Sequence, residues 1–444
     1  MKRTFFLLLV WVFCTTGGTL LTGCKNQAAG PVCPPCEQAV ERSDYFELQR
    51  LLPQTPGLPA AERNYYQAAV DLAFNRLEPA ATSLDRLLNS PELVHSRRRA
   101  QVALLVQMVR YRQGRYAEAF ALADLLLTQQ RAALTPPEIA SLTNERKVVE
   151  ALREQLPQRV TTFADTRVNM TRDSLGLWYL PVEVAGTQNE LLFDTGAGFS
   201  VLTRSKAVEM GLQPLGAAFE VGTATSIRVL ADLAVAPRLR IGQVELENVV
   251  FLVYPDEVLT FQLPTGPYRI EGILGYNVMQ ALGKLTLHND PTGSGLTLAI
   301  TAPDSLASLA GEPANFFMDG FSPVVRVTYG SDTLLMTFDS GGRASDLWFP
   351  FYQRYGAELE KRPDVSRRPT RTGGVGGAQT IEVLRVPDPT FTMAGKSVQL
   401  PHINVNLHPY GAAHPYRDGN LGLDIMQQYT HLSVDFRRMR ISGE

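Results

Sequence analysis

Two short motifs in the second half of the chain each carry an aspartate in the same setting. The first motif reads Phe193-Asp194-Thr195-Gly196, and the second, 145 residues later, reads Phe338-Asp339-Ser340-Gly341. Each follows an apolar run that is typical of a β-strand. Two carboxylates together can supply a general acid and a general base. A single aspartate in such a turn can also do no more than accept a hydrogen bond from a nearby backbone N–H.

Two further landmarks are duplicated in the same order. Small residues at 222–225 and at 373–377 precede similar Ile-x-Val-Leu runs, and such residues suit the tip of a hairpin. A Gly-x-Leu-Gly element then occurs at 272–275 and at 419–422, and each copy is followed by an apolar strand. Three ordered, duplicated landmarks predict two similar β lobes related by a pseudo-twofold axis, with one aspartate in each lobe.

From about residue 177 to its end the chain resembles the aspartic peptidases, the superfamily of retropepsins and pepsin. The resemblance implies an all-β, double-lobed acid-protease fold in which one chain carries both halves, as in pepsin. It also implies that Asp194 and Asp339 form a catalytic dyad. Two carboxylates about 3 Å apart cannot both ionise, so they share one proton and titrate as a pair. The ionised member activates a water molecule and the protonated member donates to the scissile carbonyl; the sequence does not say which is which.

The resemblance assigns further residues to the site. The hydroxyls of Thr195 and Ser340 are expected to bond across the lobe interface, and Gly196 and Gly341 are expected to allow tight turns beside the carboxylates. The other residues that it implies are Gly222, Thr223, Gly374, Gly376 and Gly377 in two flaps that bind substrate, and Ile273, Leu274, Gly275, Leu421 and Gly422 in the psi-loops.

The residue after each motif bears on the working pH. Acidic pepsin-like enzymes usually have Ser or Thr there, which donates to the carboxylate and lowers its pKa. This chain has Ala197 and Gly342, neither of which can donate from its side chain. We therefore expect a dyad that works at weakly acidic to neutral pH.

The second half departs from the family pattern. Asn420 replaces the first apolar residue of the psi-loop element, and Gly342 with Arg343 makes the second aspartate loop less typical than the first. Lobe 2 could therefore be a degraded partner. This leaves an alternative function open, a catalytically inactive module that binds extended peptides on the same fold.

The first 23 residues have the pattern of a secretory signal. Lys2 and Arg3 precede an apolar run over 5–13 that is too short to span a bilayer, and the segment ends in Leu21-Thr22-Gly23-Cys24. That ending resembles the bacterial lipobox, which implies that Cys24 is lipidated and anchors the protein in the bacterial cell envelope, facing the periplasm or the cell surface. An ordinary cleaved signal is the alternative.

Residues 24–36 are polar and proline-rich, so we expect a flexible tether. Cys33 and Cys36 have the C-x-x-C spacing of redox motifs. Such motifs work at the start of a helix on a folded domain, whereas this pair is expected on a tether. We therefore expect a local disulfide without a catalytic role.

Residues 37–156 show helical periodicity, from which about six helices are predicted. The phrase at 111–119 resembles the turn of a tetratricopeptide (TPR) hairpin, and a similar phrase precedes it near 75–80. Two roles are open for this region. It could form a groove that binds a partner protein, or it could be a spacer that holds the next domain off the membrane. A scaffold that acts through this helical repeat is a third function for the whole chain.

Composition excludes several classes of function. The 444 residues carry 42 Lys and Arg against 44 Asp and Glu, so the basic surplus of a nucleic-acid-binding protein is missing. All four cysteines lie within the first 36 residues, and no cofactor or phosphate-loop motif occurs. His402, His408 and His414 are interpreted as loop or surface residues, and no metal is expected. The predicted lobes span 160–302 and 315–444. The expected partners are a peptide or protein substrate, the membrane and a protein that the helical domain could bind.

Overall fold

The computed structural model describes residues 6–8, 32–93, 96–222, 228–263, 266–290, 295–302, 313–374, 377–409 and 415–444. The chain divides into a helical unit, Cys14–Pro157, and a β-rich unit that comprises Gln158–Glu444 together with Met1–Phe13. The described residues therefore follow the predicted order, an α-helical region and then a β-rich one. Among the described residues, no helix is both long and apolar enough to cross a membrane.

The helical unit has seven α-helices among its described residues, one more than the sequence predicted. They are α1 (Pro34–Glu41), α2 (Tyr45–Leu51), α3 (Ala60–Ala73), α4 (Leu77–Leu88), α5 (Arg97–Arg112), α6 (Tyr116–Gln129) and α7 (Pro136–Leu152). Part of its core is a cluster of small and aliphatic side chains: Ala100, Ala103, Ala123, Leu126, Leu134 and Leu142.

The α3–α4 and α5–α6 hairpins turn in the same way. Asn75 has φ 58° between α3 and α4, and Gly114 has φ 72° between α5 and α6. Arg115 N–H donates to Arg110 O at 2.8 Å, which is the long bond that closes a helix ending in the left-handed conformation. The two similar phrases therefore form two similar helical hairpins; whether the repeat is a TPR stays a prediction.

Helix α1 begins at Pro34, inside the segment predicted as a tether. Proline suits the first helical position, and Cys33 Sγ accepts a hydrogen bond from Cys36 N–H at 3.3 Å. Cys33 and Cys36 form a disulfide and are only 4% and 0% exposed. The premise that this pair lies on a flexible segment was wrong. Its burial at a helix start indicates a structural link.

Lobe 1 of the β-rich unit contains β2 to β14 and two short helices. The strands are β2 (Arg159–Thr162), β3 (Thr166–Arg172), β4 (Trp178–Val184), β5 (Thr187–Phe193), β6 (Ser200–Thr203), β7 (Phe219–Gly222), β8 (Arg228–Ile241), β9 (Val244–Tyr254), β10 (Thr260–Leu263), β11 (Gly266–Arg269), β12 (Gly272–Leu274), β13 (Lys284–Asn289) and β14 (Leu296–Thr301). The helices are α8 (Arg204–Glu209) and α9 (Tyr276–Met279).

Lobe 2 repeats this arrangement. Its strands are β15 (Phe316–Asp319), β16 (Ser322–Tyr329), β17 (Asp332–Phe338), β18 (Asp346–Leu347), β19 (Ser366–Gly374), β20 (Gly377–Pro387), β21 (Thr390–Met393), β22 (Lys396–Gln399), β23 (His402–Asn406), β24 (Gly419–Leu421), β25 (His431–Asp435) and β26 (Arg440–Gly443). Its helices are α10 (Phe349–Leu359) and α11 (Leu423–Met426), and a strand near the N-terminus, β1 (Phe6–Leu8), pairs in parallel with β19.

The same crossing of strands occurs in both lobes. In lobe 1, β12 lies between β5 and β6, parallel to β5 and antiparallel to β6. In lobe 2, β24 lies between β17 and β18 in the same orientations. A strand inserted between two strands that a loop connects is the psi arrangement, and here each connecting loop contains one of the two aspartates. The strands β13 and β25 pair antiparallel and join the lobes through a shared sheet.

Candidate active site

Each aspartate is held at the point where its strand ends. Asp194 follows β5, and its N–H donates to Leu274 O of β12 at 3.1 Å. Asp339 follows β17, and its N–H donates to Leu421 O of β24 at 3.0 Å. The inserted strand of each lobe therefore fixes the backbone on which the carboxylate is carried.

The two aspartate loops hold each other through Thr195 and Ser340. The Thr195 hydroxyl donates to Phe338 O at 2.8 Å and accepts from Ser340 N–H at 3.0 Å. The Ser340 hydroxyl donates to Phe193 O at 2.8 Å and accepts from Thr195 N–H at 3.0 Å. All four bonds are buried and cross between lobes. The structure thus brings together the two hydroxyls that the resemblance singled out.

The glycine of each motif lies against the aspartate of the other lobe. A Cβ placed on Gly341 would lie 2.4 Å from Asp194 Cγ, and one on Gly196 would lie 2.7 Å from Asp339 Oδ1. Because no side chain fits at either position, the carboxylates approach across the interface. Asp194 is 0% exposed and Asp339 is 2% exposed.

The two carboxylates have different donors. Asp194 Oδ1 accepts from Gly196 N–H at 2.9 Å and from Ala197 N–H at 3.1 Å, while Oδ2 accepts from no amide, hydroxyl or backbone N–H in the described part of the chain. Asp339 Oδ1 accepts from Gly342 N–H at 2.9 Å, and its Oδ2 accepts from Asn420 Nδ2 at 3.0 Å.

Burial raises the pKa of both carboxyls above the ordinary aspartate value. For Asp194 the negative charge of Asp339 adds to the effect of burial and raises its pKa further. For Asp339 burial is again the largest cause, and the donated hydrogen bonds, including that from Asn420, offset part of the rise in its pKa. Such a pair holds a proton at pH values where isolated aspartates are ionised.

A serine side chain also supports each psi-loop, through contacts that were not predicted from the sequence. Ser200 Oγ accepts from Gly275 N–H at 3.0 Å and bonds Asn277 Oδ1 at 2.9 Å. In lobe 2, Ser345 Oγ accepts from Gly422 N–H at 2.9 Å and bonds Asp424 Oδ1. Ser200 and Asn277 occupy positions in the first half of the duplication that correspond to Ser345 and Asp424 in the second half. This correspondence was a sequence signal from which the two contacts could have been predicted.

The psi-loop residues lie in and just after the inserted strands. Ile273, Leu274 and Leu421 belong to β12 and β24, and each is 0% exposed. A Cβ on Gly275 would lie 2.3 Å from the Phe199 backbone, and one on Gly422 would lie 2.7 Å from Ala344 C. These glycines let each aspartate loop close onto its inserted strand.

The predicted flap glycines lie at the ends of two hairpins. Gly222 ends β7 and pairs with the start of β8. Gly374 pairs with Gly377 at the end of the β19–β20 hairpin, where Gly377 has φ 116°. Thr223 and Gly376 lie outside the described residues, as do 224–227 and 375.

The histidines do not converge where the structure describes them. His402 Nδ1 bonds Arg385 Nη2 at 2.8 Å, and burial together with the Arg385 charge lowers the His402 pKa. His408 is exposed, and His414 lies outside the described residues. Within the described ranges, no group of three or more His, Cys, Asp or Glu could hold a metal ion.

A known protein family matches part of lobe 1. Residues 180–278, which run from β4 to α9 and include Asp194, match the family model for aspartyl proteases. Among solved structures, the chain is similar to a retropepsin-like aspartic protease from Rickettsia conorii, at 19% identity over 31% of this chain and 94% of that one, with a TM-score of 0.23. It is also similar to Basic 7S globulin from soybean, at 11% identity over 63% of this chain and 96% of that one, with a TM-score of 0.40.

No curated protein matches the chain. The family match covers residues 180–278 of lobe 1, and the psi arrangement, the aspartate loop and the cross-lobe hydroxyl bonds recur in lobe 2. The β-rich unit of this chain therefore has the double-lobed fold of the retropepsin-like and pepsin-like aspartic peptidases.

Proposed function

We propose that the chain is an aspartic endopeptidase that hydrolyses peptide bonds with a water molecule activated by Asp194 and Asp339. One observation carries the proposal: two buried carboxylates from different lobes face each other, each with the glycine of the other motif packed against it. Desolvation keeps one proton on the pair, which supplies a base and an acid in the same site.

The chemistry follows from the shared proton. The ionised carboxyl accepts a proton from water as the water oxygen bonds the scissile carbonyl carbon, and the protonated carboxyl donates to the carbonyl oxygen. When the tetrahedral intermediate collapses, the carbon–nitrogen bond breaks and the leaving amine takes a proton from the pair. The four bonds of Thr195 and Ser340 keep both carboxylates in place through these steps.

An extended peptide is the substrate that the surrounding hairpins suit. The β7–β8 and β19–β20 hairpins end in small residues at Gly222, Gly374 and Gly377. Backbone groups at a hairpin end can pair with an extended chain, and closure over it excludes water.

We also propose that lipidation of Cys24 anchors the chain in a bacterial cell envelope. This part of the proposal is supported by the sequence of residues 1–24 alone, because Cys24 lies outside the described residues. The helical unit would hold the peptidase unit off the membrane or bind a partner protein. Incorporation of a labelled fatty acid that Cys24→Ala abolishes would support the anchor, and incorporation by Cys24→Ala would contradict it.

A cleavage assay tests the peptidase proposal. The full chain, in detergent, is incubated with an unstructured peptide mixture from pH 3 to 8, beside Asp194→Asn and Asp339→Asn. We expect each variant to lower kcat/KM by about 10³-fold or more, because neither acid nor base can act alone. Asp364→Asn is the matched control, since Asp364 is an exposed aspartate of lobe 2 that pairs with Arg362, and it should retain activity.

The pH dependence adds a second expected result. Activity requires one ionised member, so it falls as the pH drops through the lower pKa of the pair. Because burial raises both pKa values, activity should be highest at weakly acidic to neutral pH. Cleavage that survives in both dyad variants, or a wild-type chain that cleaves at no pH, would contradict the proposed function.

A further inference from the structure

Asn420 is the psi-loop residue that departs from the family pattern, and it contacts the second aspartate. It lies in the middle of β24, is 1% exposed, and its Nδ2 donates to Asp339 Oδ2 at 3.0 Å. The corresponding residue of lobe 1 is Ile273, which has no donor. The departure therefore adds a hydrogen bond to a carboxylate at the centre of the site.

Thr337 orients the Asn420 amide. The two residues are directly paired between β17 and β24, and the Thr337 hydroxyl donates to Asn420 Oδ1. With Oδ1 engaged in this way, Nδ2 is the end of the amide that points at Asp339. The register of the sheet therefore places the Asn420 donor beside Asp339.

Gly342 leaves the space that the amide uses. A Cβ at position 342 would lie 3.0 Å from Asn420 Nδ2 and 3.0 Å from Asp339 Oδ2. Such contacts are tighter than ordinary packing permits, and lobe 1, which has Ile273 instead of asparagine, carries Ala197 at the corresponding position. The two departures in lobe 2 are therefore complementary, and together they form an arrangement that differs from a degraded copy of lobe 1.

The donors divide unevenly between the two carboxylates. Both oxygens of Asp339 accept a hydrogen bond from an N–H group, whereas both donors to Asp194 converge on Oδ1. An ionised carboxylate is satisfied by donors on both oxygens, and a proton is best placed on an oxygen to which nothing donates. In the described part of the chain, Asp194 Oδ2 is that oxygen.

We propose that Asn420 is a positioning residue that holds Asp339 as the charged member of the pair, so that Asp194 carries the shared proton. The catalytic consequence rests on the proposed function: Asp339 would take the proton from water, and Asp194 would donate to the scissile carbonyl. The ionisation state of the resting pair does not depend on turnover.

Other aspartates in the described part of the chain interact with Asp339. Asp194 faces it across the interface, and Asp346 on β18 is paired with Asn420 and interacts with Asp339 electrostatically. Asp424 lies beside Asp346 in the same lobe. Burial raises the pKa of Asp346 to about 8, so Asp346 is neutral at the pH of interest and does not oppose a charge on Asp339.

The test measures each carboxyl by itself. Full-length chain labelled with ¹³C at the aspartate carboxyl is prepared as Asp194→Asn, where Asp339 remains, and as Asp339→Asn, where Asp194 remains. The double variant identifies the resonance of interest by its loss. We expect the remaining Asp339 to titrate at lower pH than the remaining Asp194, by about one pKa unit or more, because it keeps a donor on each oxygen.

Variants of the donor separate its effect from that of folding. Adding Asn420→Ala to Asp194→Asn should raise the Asp339 pKa, and adding Gly342→Ser as well should lower it again by supplying a hydroxyl near Oδ2. Equal pKa values in the two single variants, or an Asp339 pKa that Asn420→Ala leaves in place, would overturn the proposal. The comparison of the single variants needs no change at Asn420, so it tests which carboxyl is charged even if Asn420→Ala does not fold.

Activity gives an independent readout. In the chain with both aspartates, Asn420→Ala should move the acidic limb of the kcat/KM profile to higher pH, and the added Gly342→Ser should move it back. If the chain cleaves no peptide but the titrations behave as expected, the proposed function fails and the assignment of the charge stands. An unchanged pH profile in an active Asn420→Ala enzyme would contradict the proposed positioning role of Asn420.

Discussion

The two lobes share one topology but differ in the row of side chains that runs across the strands beside each aspartate. In lobe 1 the row is apolar: Leu192, Ile273, Val201 and Leu252. In lobe 2 the residues at the same register positions are polar: Thr337, Asn420, Asp346 and Asn404. Every member of both rows is 5% exposed or less.

The difference shows that strand pairing can be kept while the chemistry along it changes. An apolar row needs only close packing, whereas a buried polar row needs hydrogen-bond partners. Asn420 finds Thr337 and Asp339, and Asp346 Oδ2 accepts from Trp348 Nε1 at 3.0 Å and from Asn406 Nδ2 at 3.4 Å. Lobe 2 therefore gives Asp339 a side-chain donor, Asn420, where lobe 1 has the apolar Ile273.

Removing the hydroxyls of Thr195 and Ser340, which bond symmetrically across the lobe interface, should have the largest effect on stability and activity. Thr195→Val and Ser340→Ala each delete a hydroxyl that makes two buried bonds across the interface. We expect each variant to lose about 2–4 kcal/mol of the free energy of unfolding and about 10²-fold or more in kcat/KM. Urea denaturation and peptide cleavage measure the two quantities.

Thr195→Ser is the control for that pair, because it keeps the hydroxyl. Similar losses in Thr195→Val and Ser340→Ala would show that the lobes contribute equally to the interface. A loss confined to one of the two variants would contradict the reciprocal arrangement seen in the structure.

Copying the lobe 2 amide into lobe 1 should have the next largest effect. Ile273→Asn places an amide in an apolar row beside Ala197, whose Cβ occupies the space that Gly342 leaves open in lobe 2. We expect a loss of about 2–4 kcal/mol in the free energy of unfolding, and recovery of part of it when Ala197→Gly is added.

Ile273→Leu is the volume-matched control for this comparison and should cost less than about 1.5 kcal/mol. Additive losses in the Ile273→Asn/Ala197→Gly variant would show that the glycine does not make room for the amide. The complementarity of Gly342 and Asn420 would then lose its support.

The last comparison concerns Asp346, which occupies the position of Val201, and its effect on stability depends on pH. Burial raises its folded-state pKa to about 8, well above its value in the unfolded chain. The unfolded chain therefore loses this proton first, and the folded state is progressively destabilised as the pH rises towards 8. Asp346→Asn does not titrate, so its stability relative to wild type should rise between pH 4 and pH 8.

Thermal unfolding at several pH values measures this trend. The difference between the two proteins should be smallest near pH 4, because the carboxyl is then protonated in the folded state and still about half protonated in the unfolded chain. A stability difference that does not change with pH would show that Asp346 is not neutral in the folded chain. Asp364→Asn, at an exposed position, is again the control.

Much of the β-rich unit could be predicted because its signals are local and duplicated. The Asp-Thr-Gly and Asp-Ser-Gly turns follow apolar strands, and the two Gly-x-Leu-Gly elements recur in order, so the double-lobed acid-protease fold followed and is confirmed. The role of Asn420 could not be read in this way. Without the sheet register, a polar residue at an apolar position suggested that lobe 2 is a degraded copy of lobe 1.

The helical unit illustrates the same limit. The repeated phrases were visible, and the two hairpins that they form turn alike at Asn75 and Gly114. The start of α1 at Pro34 was not foreseen, because a proline-rich, polar segment is typical of a tether. What stabilises the helix there is the burial of Cys33 and Cys36, which the sequence does not show.

The sequence by itself determined the two lobes and the position of one aspartate in each, because a strand, a turn and their duplication are encoded by neighbouring residues. Only the tertiary structure decided how the two carboxylates differ. The bond from Asn420 to Asp339 joins residues 81 positions apart, and the bonds of Thr195 and Ser340 join residues 143 to 147 positions apart. Such contacts depend on strand register and lobe packing, and these set which oxygen receives a donor and therefore where a proton is stable.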